Sequence, residues 1–438
     1  MKTSYLSLPM LALLAACGGG GGAGPQSVGS LGGIATAATP SAGGTTSSGG
    51  TSTGTASGTG VAAGGLGGTP TSASASSTST LINPGTTRTY NAVSAVQQYK
   101  YNTRDDALGQ YAQSYKGNAA TVRAPTTTVS YDPRSAIFTL TIKDTPSGID
   151  QTLTFQDPAH RTDFAGSVTP QFGVPNLTTS GVMYLEAGSA SGSITGGNNQ
   201  TPPNGTDKST YNVATFFYQK PGTSTNYVTF AGYVRNGINW ERQTPTGQAA
   251  YLETQSTLER GAFVYGDVTS RDQVPTRGTG AYTGAFLATM VNNPTLDDPA
   301  PRSTYFQWIG GNSAVNVDFG AATLALSLSG RVGGPFIDRN TTGGSVVPND
   351  AVFTAAGTAT IDLPRTGGFT GSFQSAGFTW TTTAGGVTTN NTQTLNVAGS
   401  SIDGTFYGPN AVEVGGAFRI VGGTPDQRID ILGAFTGK

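Results

Sequence analysis

The chain is poor in the side chains that most often carry chemistry, with one cysteine, one histidine and 11% charged residues in a length of 438. A single cysteine excludes an internal disulfide, and a single histidine excludes both a Cys/His zinc site and a haem held by two histidines. The formal net charge of −1 leaves no basic stripe of the kind that nucleic-acid phosphates require. We therefore expect no nucleic-acid partner and no cofactor.

The amino-terminal part also lacks what a packed core needs. Residues 18–80 contain no charged and no aromatic residue, and 44 of these 63 positions are Gly, Ser or Thr. Such a segment cannot bury enough apolar area to offset the entropy lost on ordering. We predict that residues 17–80 form a disordered tether with a mean end-to-end distance of roughly 45 Å.

Residues 1–16 have the pattern of a cleaved export signal. Lys2 precedes an apolar stretch over residues 6–14, and the run Leu14-Ala15-Ala16-Cys17 follows. This resembles a bacterial lipoprotein signal peptide, which implies cleavage before Cys17 and acyl chains on that residue. Several acyl chains would anchor the protein stably, and Gly18 in place of Asp favours the outer membrane, with the protein on the cell surface. An ordinary secretory signal with a chance cysteine is the alternative.

From residue 81 onward the hydrophobic pattern has a period of two. Short Thr- and aromatic-rich runs alternate with Gly, Pro, Asn and Asp, which is typical of antiparallel strands joined by turns. Only residues 105–115 have a pattern that fits a short helix, and Asn198-Asn199 and Asn390-Asn391 are interpreted as hairpin turns. We predict an all-β chain with one antiparallel domain over residues 81–275 and a second over residues 276–438.

The second domain has the pattern of a closed antiparallel barrel of about eight strands. Tyr282, Phe286 and Met290 are predicted to share one face of a strand, because side chains two apart point the same way. Glycine recurs between aromatic positions, as in Tyr282-Thr283-Gly284-Ala285-Phe286 and Phe369-Thr370-Gly371-Ser372-Phe373. A glycine there lets a curved strand bend where a side chain would clash.

Two segments near the carboxyl end carry a family resemblance. Residues 404–418, GTFYGPNAVEVGGAF, and residues 432–438, LGAFTGK, resemble the closing hairpin of the β-barrel domain of transferrin-binding protein B. The matching positions are Phe406, Tyr407, Gly408, Pro409, Asn410, Glu413, Gly415, Gly416 and Phe418. The resemblance implies that a "handle" domain over residues 81–275 precedes the barrel. The full receptor has two such lobes and this chain has room for one, which places it nearer the single-lobe relatives, including haem- or haemoglobin-binding and complement-factor-binding surface lipoproteins.

The matching residues have structural rather than catalytic interpretations. Gly408-Pro409 and Gly415-Gly416 are predicted to supply turn conformations, and Phe406 and Phe418 to fill the barrel interior. Glu413 either accepts hydrogen bonds from backbone groups at the barrel mouth or is a solvated hairpin charge, and the second interpretation is the expectation.

Few residues could support catalysis, and an enzyme is not expected. His160 is the only imidazole, and it is interpreted as a loop residue rather than a base or haem ligand. Asp297-Asp298 could hold a weakly bound cation, but the alternating acidic ligands of a calcium loop are missing, which favours a polar turn.

A tyrosine-rich stretch is the candidate binding region. The candidate ligand-binding residues are Tyr99, Tyr101, Arg104, Tyr111 and Tyr115. Tyrosines beside Arg and amide side chains supply large, rigid contacts in binding surfaces. The same tyrosines could instead cover the sheet of the first domain, and this packing interpretation is slightly preferred.

Three functional hypotheses follow. The first is a non-enzymatic surface lipoprotein that binds an iron- or haem-carrying protein or related solute and passes it to an outer-membrane transporter, with a TonB-dependent receptor as partner. The second is an adhesin or immune-factor-binding lipoprotein with no nutrient role. The third and weakest is an envelope hydrolase, since no nucleophile motif occurs in the folded region.

Overall fold

The computed structural model describes the chain from Ser79 to Lys438 with gaps. The described residues are 79–104, 110–120, 126–156, 174–175, 177, 181–191, 208–243, 245–293, 305–334, 336–337, 347–424 and 427–438. Cys17, His160, Asn198-Asn199 and Asp297-Asp298 lie outside them. Within these ranges regular structure consists of β-strands and short 3-10 turns, so the all-β prediction is confirmed. No helix in the described part is long and apolar enough to cross a bilayer.

The first sheet, here called the handle, has nine antiparallel strands that curl into a half-barrel. They are β1 Arg88–Arg104, β2 Gln110–Ala120, β3 Thr127–Asp132, β4 Ile137–Asp144, β5 Ile149–Gln156, β6 Val182–Ser191, β7 Lys208–Gln219, β8 Val228–Gln243 and β9 Tyr251–Gly266. The strand order is β5-β4-β3-β1-β9-β8-β7-β6, and β2 pairs with β1 outside this path.

The prediction of a short helix over residues 105–115 is wrong for residues 110–115. Residues 110–115 belong to β2, which pairs with β1 in a register that places Tyr115 opposite Tyr99 and Ala120 opposite Ser94. Pairing with a long neighbouring strand satisfies the backbone groups that a short helix would satisfy internally, and it outweighs a weak helical pattern. Residues 105–109 lie outside the described ranges.

Aromatic side chains fill the inside of the handle. Phe216 on β7 stacks on Phe155 and packs beside Phe138 and Tyr218, with ring centroids 5.4 to 5.8 Å apart. Offset and tilted ring pairs at this spacing add to the free energy gained from burial. The rings come from alternate positions of β4, β5 and β7, as a half-buried sheet requires.

The second sheet closes into an eight-stranded antiparallel barrel, as predicted. Its strands are β10 Thr279–Asn293, β11 Tyr305–Asp318, β12 Thr323–Val332, β14 Val352–Ile361, β15 Phe369–Ala384, β17 Ser401–Tyr407, β18 Glu413–Thr424 and β19 Gln427–Gly437, with the short β13 Phe336–Ile337 and β16 Val387–Thr394 attached to β11 and β15. The barrel closes because β10 pairs with both β19 and β11.

Side chains that point inward from the barrel strands build the barrel core, and buried and exposed residues alternate regularly on β12 and β14. Tyr282, Phe286 and Met290 on β10 are buried in one cluster, which is the face that the period-two pattern predicts. Phe406 and Phe418 lie in the same cluster: Phe406 contacts Tyr282 and Phe418 contacts Phe286, with ring centroids 6.3 and 6.2 Å apart. The interior is therefore filled by side chains and is not a channel.

Two glycines of the aromatic repeat stand where neighbouring strands approach closely. A Cβ atom on Gly284 would overlap the carbonyl oxygen of Thr436, and one on Gly371 would overlap that of Thr358. A Cβ atom on Gly310, by contrast, would have open space around it, because the nearest heavy atom would be 4.0 Å away. The glycines of the repeat therefore stand where neighbouring strands come so close that a side chain would not fit.

The handle and the barrel are joined through the carboxylate of Glu413 at the start of β18. Glu413 is 1% exposed. Its Oε1 accepts from the backbone N–H of Asn226 at 2.7 Å, and its Oε2 accepts from those of Tyr227 and Val228 at 2.8 and 3.0 Å. The expectation of a solvated charge is therefore wrong, because the turn before β8 covers the carboxylate and supplies its hydrogen bonds.

The segment between the two sheets binds the same end of the barrel. Thr269 donates its backbone N–H to the carbonyl of Phe406 and its hydroxyl to the carbonyl of Gly408, at 2.9 and 2.6 Å. Gly408 donates back to the carbonyl of Asp267 at 2.8 Å. With Glu413, these contacts form a joint, defined here as residues 226–228, 267–269 and 406–413.

Gly408 and the glycine pair that follows Glu413 differ in role. Gly408 has a φ of 73°, so it supplies a turn conformation that favours glycine. Gly415 and Gly416 instead lie inside β18, opposite Thr405 and Gly404, where a Cβ atom on Gly416 would come within 2.6 Å of the carbonyl of Asp403. The turn role predicted for the pair is wrong, since close strand approach is what requires glycine there.

The last two residues assigned to the tether are ordered at the joint. The carboxylate of Asp267 accepts from the backbone N–H of Thr80 at 2.9 Å and from the hydroxyl of Ser79 at 3.1 Å, and the Thr80 hydroxyl makes a further short hydrogen bond to it. Ser79 also donates to the carbonyl of Asn226 at 2.6 Å. The described part of the chain therefore starts at the joint.

We predict that Glu413→Ala destabilises the protein by about 3 kcal/mol, because three backbone N–H donors, one of them fully buried, lose a charged acceptor. Thermal or urea unfolding of the full chain measures this loss. Asp272→Ala, which removes an exposed acid close to the joint, is the control and should change the free energy of unfolding by less than about 0.5 kcal/mol. Equal effects of the two substitutions would contradict the assigned role of Glu413.

We also predict that Gly284→Ala costs about 1–3 kcal/mol, since the added methyl group must displace the backbone of β19. Gly310→Ala is the matched control on the adjacent strand, where the methyl group meets no atom closer than 4.0 Å. The midpoints of urea unfolding compare the two variants. A neutral Gly284→Ala would show that the barrel wall tolerates a side chain at this point.

Candidate functional site

The strands of the two domains share the same two ends, which can be told apart by the joint. The joint and Ser79, the first described residue, lie at one end, called proximal here. At the opposite, distal end β1 finishes at Arg104 opposite Glu253, the β8–β9 hairpin turns after Gln243 opposite Tyr251, and β10 finishes near Asn292 opposite Tyr305. The strand registers therefore place Ser79 and the distal strand ends at opposite ends of the described part of the chain.

Among the strands that the structure describes, three of the four longest connections within the sheets join strand ends at the distal end. They are residues 192–207 between β6 and β7, 294–304 between β10 and β11, and 333–351 between β12 and β14. The fourth, residues 157–181, joins β5 to β6 at the proximal end. Binding residues occur disproportionately on long connections held by a rigid scaffold, which makes the distal end the candidate functional site.

Arg104 is the one residue of the predicted binding set whose described side chain reaches the distal end. Its guanidinium carbon lies 3.6 Å from the centroid of the Tyr251 ring, a cation–π contact between neighbouring strands β1 and β9. Both side chains are half-buried. The stacked pair presents a flat surface with a fixed positive charge and an aromatic edge, a combination that binds protein surfaces well.

Tyr99 and Tyr101 are instead buried between the two domains. They are 1% and 6% exposed, and their rings stack with centroids 5.2 Å apart. Tyr99 also meets the ring of Phe306 on barrel strand β11 edge-on at 5.6 Å. The packing interpretation is therefore confirmed for these two tyrosines. They cover the side of the handle sheet that faces the barrel, not the side that faces the handle interior.

Tyr111 and Tyr115 lie on β2, next to the strand that carries Tyr99, and their side chains are outside the described ranges. The structure therefore brings together Tyr99 and Tyr101 in one buried cluster and places Arg104 at the end of the same strand. A ligand-binding role for the five residues stays a prediction.

Two adjacent charged residues on β9 were not identified from the sequence. Glu259 is 2% exposed and accepts from Arg235 at 2.8 Å and from the Gln98 side chain at 3.2 Å. Tyr233 lies in the same network, where burial and the charge of Glu259 raise its pKa well above the usual range. The sequence does contain a signal for this network, since Glu259 and Arg260 lie in the middle of a strand with apolar neighbours. Charged residues in such a place are rarely buried unless they are paired.

Arg260, the next residue, points to the other side of β9 and is fully buried against the barrel. Its guanidinium donates to the carbonyl of Glu259 at 2.8 Å and lies 4.9 Å from the centroid of the Phe306 ring. Burial lowers its pKa to about 10, so the side chain is charged at neutral pH. Since Arg260 and Glu259 are covered, they position the strands below the distal end and do not contact a ligand there.

The described residues hold no group of three side chains suited to a metal ion. A shallow groove of about 1050 Å³ lies on the outer wall of the barrel at the proximal end and is lined mainly by Thr, Gly and Ala. Asp318 is the only ionisable residue among those lining it. The groove therefore offers little chemistry beyond backbone and hydroxyl hydrogen bonds.

Comparison with known families identifies the barrel. Residues 274–438 match the family model described as the C-lobe and N-lobe beta barrels of Tf-binding protein B. The matched range covers the segment after the joint, all the barrel strands and the motif around Glu413. No curated protein matches the sequence.

Solved structures of transferrin-binding protein B resemble the chain at low identity. A double mutant from Haemophilus parasuis is 16% identical over 79% of this chain and 76% of that chain, with a TM-score of 0.25. The intact protein called Ap-TbpB, with N and C lobes, is 14% identical over 81% and 78%, with a TM-score of 0.25. The isotype 1 protein from serogroup B Neisseria meningitidis is 12% identical over 81% and 77%, with a TM-score of 0.22.

The sequence resemblance at residues 404–418, the closed eight-stranded barrel and the family match thus agree. Residues 274–438 match the barrel family of transferrin-binding protein B.

Proposed function

We propose that the protein is a non-enzymatic lipoprotein of the outer membrane that captures an iron- or haem-carrying protein or related solute at the cell surface and hands it to an outer-membrane transporter. The observation that carries this proposal is the family match of the barrel, because the proteins that share the barrel are named for binding transferrin. A TonB-dependent receptor is the proposed transporter partner.

The position of the tether supports capture at the distal end. Cys17 is the proposed lipid anchor, and about 60 residues separate it from Ser79. A Gly/Ser-rich segment of that length has a mean end-to-end distance of roughly 45 Å. Because Ser79 lies at the proximal end, a chain held to the membrane through the proposed anchor would present its distal end outward.

The distal end would bind with little internal rearrangement. Arg104 and Tyr251 are already stacked, and Tyr99 and Tyr101 fix the same strand against the barrel through Phe306. Side chains held in place before binding lose less conformational entropy in the complex. In this proposal Arg104 contacts the ligand, and the two buried tyrosines hold the strand that carries it.

We predict that Arg104→Ala weakens binding of the captured protein by at least about tenfold, because a charged, pre-stacked contact is lost at the distal end. Surface plasmon resonance on immobilised full chain, with iron-loaded transferrin and haemoglobin as the two probes, measures the change. Arg365→Ala is the control, since Arg365 is exposed in the proximal turn and pairs only with its neighbour Asp362 in the contacts described.

Binding of neither probe would contradict capture of an iron- or haem-carrying protein and would favour the adhesin alternative. Binding of one probe that is weakened equally by Arg104→Ala and Arg365→Ala would keep the function but contradict the distal site.

We further predict that Cys17→Ser releases the protein from the membrane, because it removes the only residue that can carry the lipid anchor. Phase partition of cell lysates in Triton X-114 should place the unaltered chain in the detergent phase and the variant in the aqueous phase. Mass spectrometry of the amino-terminal peptide should show an acylated Cys17. A free thiol at this position would contradict the anchor.

A further inference from the structure

The inner face of the handle changes character halfway along its strands. On the proximal side aromatic rings fill it, and strands β3 to β5 curl over them. The covered part ends at Glu259, which accepts hydrogen bonds from Gln98 on β1, Arg235 on β8 and Gln151 on β5. Toward the distal end from Glu259, buried residues on β1 and β9 alternate with exposed or half-buried ones. The barrel covers one face of the sheet there, and the inner face is open.

Amide side chains form a row across this open part. Asn239 on β8 lies opposite Gln255 on β9, and Gln255 lies opposite Asn102 on β1. Asn239 and Gln255 are exposed, and Asn102 is half-buried. Because neighbouring strands lie about 4.8 Å apart, the three amides span about 10 Å. Each amide carries two donors and one acceptor oxygen, so the row can exchange hydrogen bonds in both directions with several groups of a ligand.

The charged residues that flank the amide row balance each other. Lys100 lies on one side of the row, opposite Thr257. Arg104 and Glu253 lie opposite each other on the other side, and Glu241 follows across the sheet from Glu253. With two charges of each sign on these three strands, an ionic ligand would meet a like charge beside every opposite one, which opposes its binding. The row therefore suits a neutral ligand.

The same face has little for a hydrophobic ligand to bind. Among residues 100–104 of β1, 237–243 of β8 and 251–257 of β9, Tyr251 is the only hydrophobic residue that points inward. Peptides and proteins that bind a sheet need pockets for their anchor side chains, and an apolar ligand would leave the amides without hydrogen bonds. A ligand rich in hydroxyl groups avoids both difficulties, because each hydroxyl donates one hydrogen bond and accepts others.

We propose that the row of Asn239, Gln255 and Asn102 binds a neutral oligosaccharide, carried by a glycoprotein that arrives from outside the cell. The three amides hydrogen-bond the hydroxyl groups of the sugar rings, and Tyr251 supplies the apolar surface beside them. The contact is small and open, so a single sugar chain binds weakly, and several chains on one glycoprotein raise the overall affinity.

The position of the row points to a sugar from outside the cell. Arg104, the proposed contact of the captured protein, borders the row, and Ser79 lies at the other end of the described part of the chain. With the anchor on the side of Ser79, polysaccharide of the cell's own surface would lie at the proximal end. The glycoprotein source thus rests on the proposed capture function, whereas binding of the sugar by the amide row does not.

Surface plasmon resonance on the immobilised full chain tests the amide row. The probe is a galactose-terminated biantennary N-glycan coupled to albumin, and uncoupled albumin is the blank. Asn239→Ala/Gln255→Ala should weaken binding of the coupled glycan at least about tenfold, because the hydrogen bonds of two neighbouring amides are lost. The thermal midpoint should stay within about 1 °C, since both residues are exposed.

Asn390→Ala is the matched control and should leave glycan binding unchanged. Asn390 is an exposed amide within β16, opposite Thr381 on the barrel, and does not form the hairpin turn that the sequence predicted for it. Failure of the unaltered chain to bind the coupled glycan would overturn the proposal, and equal weakening by the two variants would overturn the amide row as the site.

Dextran, a neutral bacterial polysaccharide, tests the source of the sugar. Binding of dextran without binding of the coupled glycan would overturn a glycoprotein as the ligand. Because the glycan probe contains neither iron nor haem, sugar binding and capture of transferrin or haemoglobin can fail independently. A chain that binds transferrin or haemoglobin but no glycan would overturn this inference and leave the capture function in place.

Discussion

The buried carboxylate of Glu413 is the constraint on which the arrangement of the two domains depends. It is covered by the turn at residues 226–228, and each of its oxygens accepts from the backbone of the handle. A buried carboxylate is costly unless its hydrogen bonds are complete. The turn completes them in one relative position of handle and barrel, and the backbone bonds between Thr269, Phe406 and Gly408 hold the same position. The joint therefore fixes the relation of the two sheets.

Aromatic packing holds the opposite end of the interface. Tyr99 and Tyr101 of the handle meet Phe306 and Val291 of the barrel, and the guanidinium of Arg260 lies over the Phe306 ring. Aromatic packing at this end and hydrogen bonds at the joint thus both stabilise the contact between the two domains. Together they make the distal strand ends a rigid base for the long connections between them.

The sequence predicted the strands and the barrel because both depend on local pattern. A period of two reports which side of a sheet a residue faces, and it placed Tyr282, Phe286 and Met290 on the inner face correctly. Glu413 was misinterpreted because its partners are 185 to 187 residues away, and no local pattern shows what covers a charge. Gly415 and Gly416 were misinterpreted for a related reason: glycine suits both turns and close strand approach, and only the neighbouring strand distinguishes them.

The binding region was the least predictable part because tyrosine serves packing and recognition with the same chemistry. Tyr99 and Arg104 lie on one strand, yet Tyr99 is 1% exposed and Arg104 is half-buried beside Tyr251. The difference arises from where the barrel ends: Phe306 covers the strand at Tyr99, and Arg104 lies beyond it toward the distal end. The barrel thus decides which side chains of β1 are exposed. Because the joint holds the barrel against the handle, the candidate site depends on contacts at the other end of the molecule.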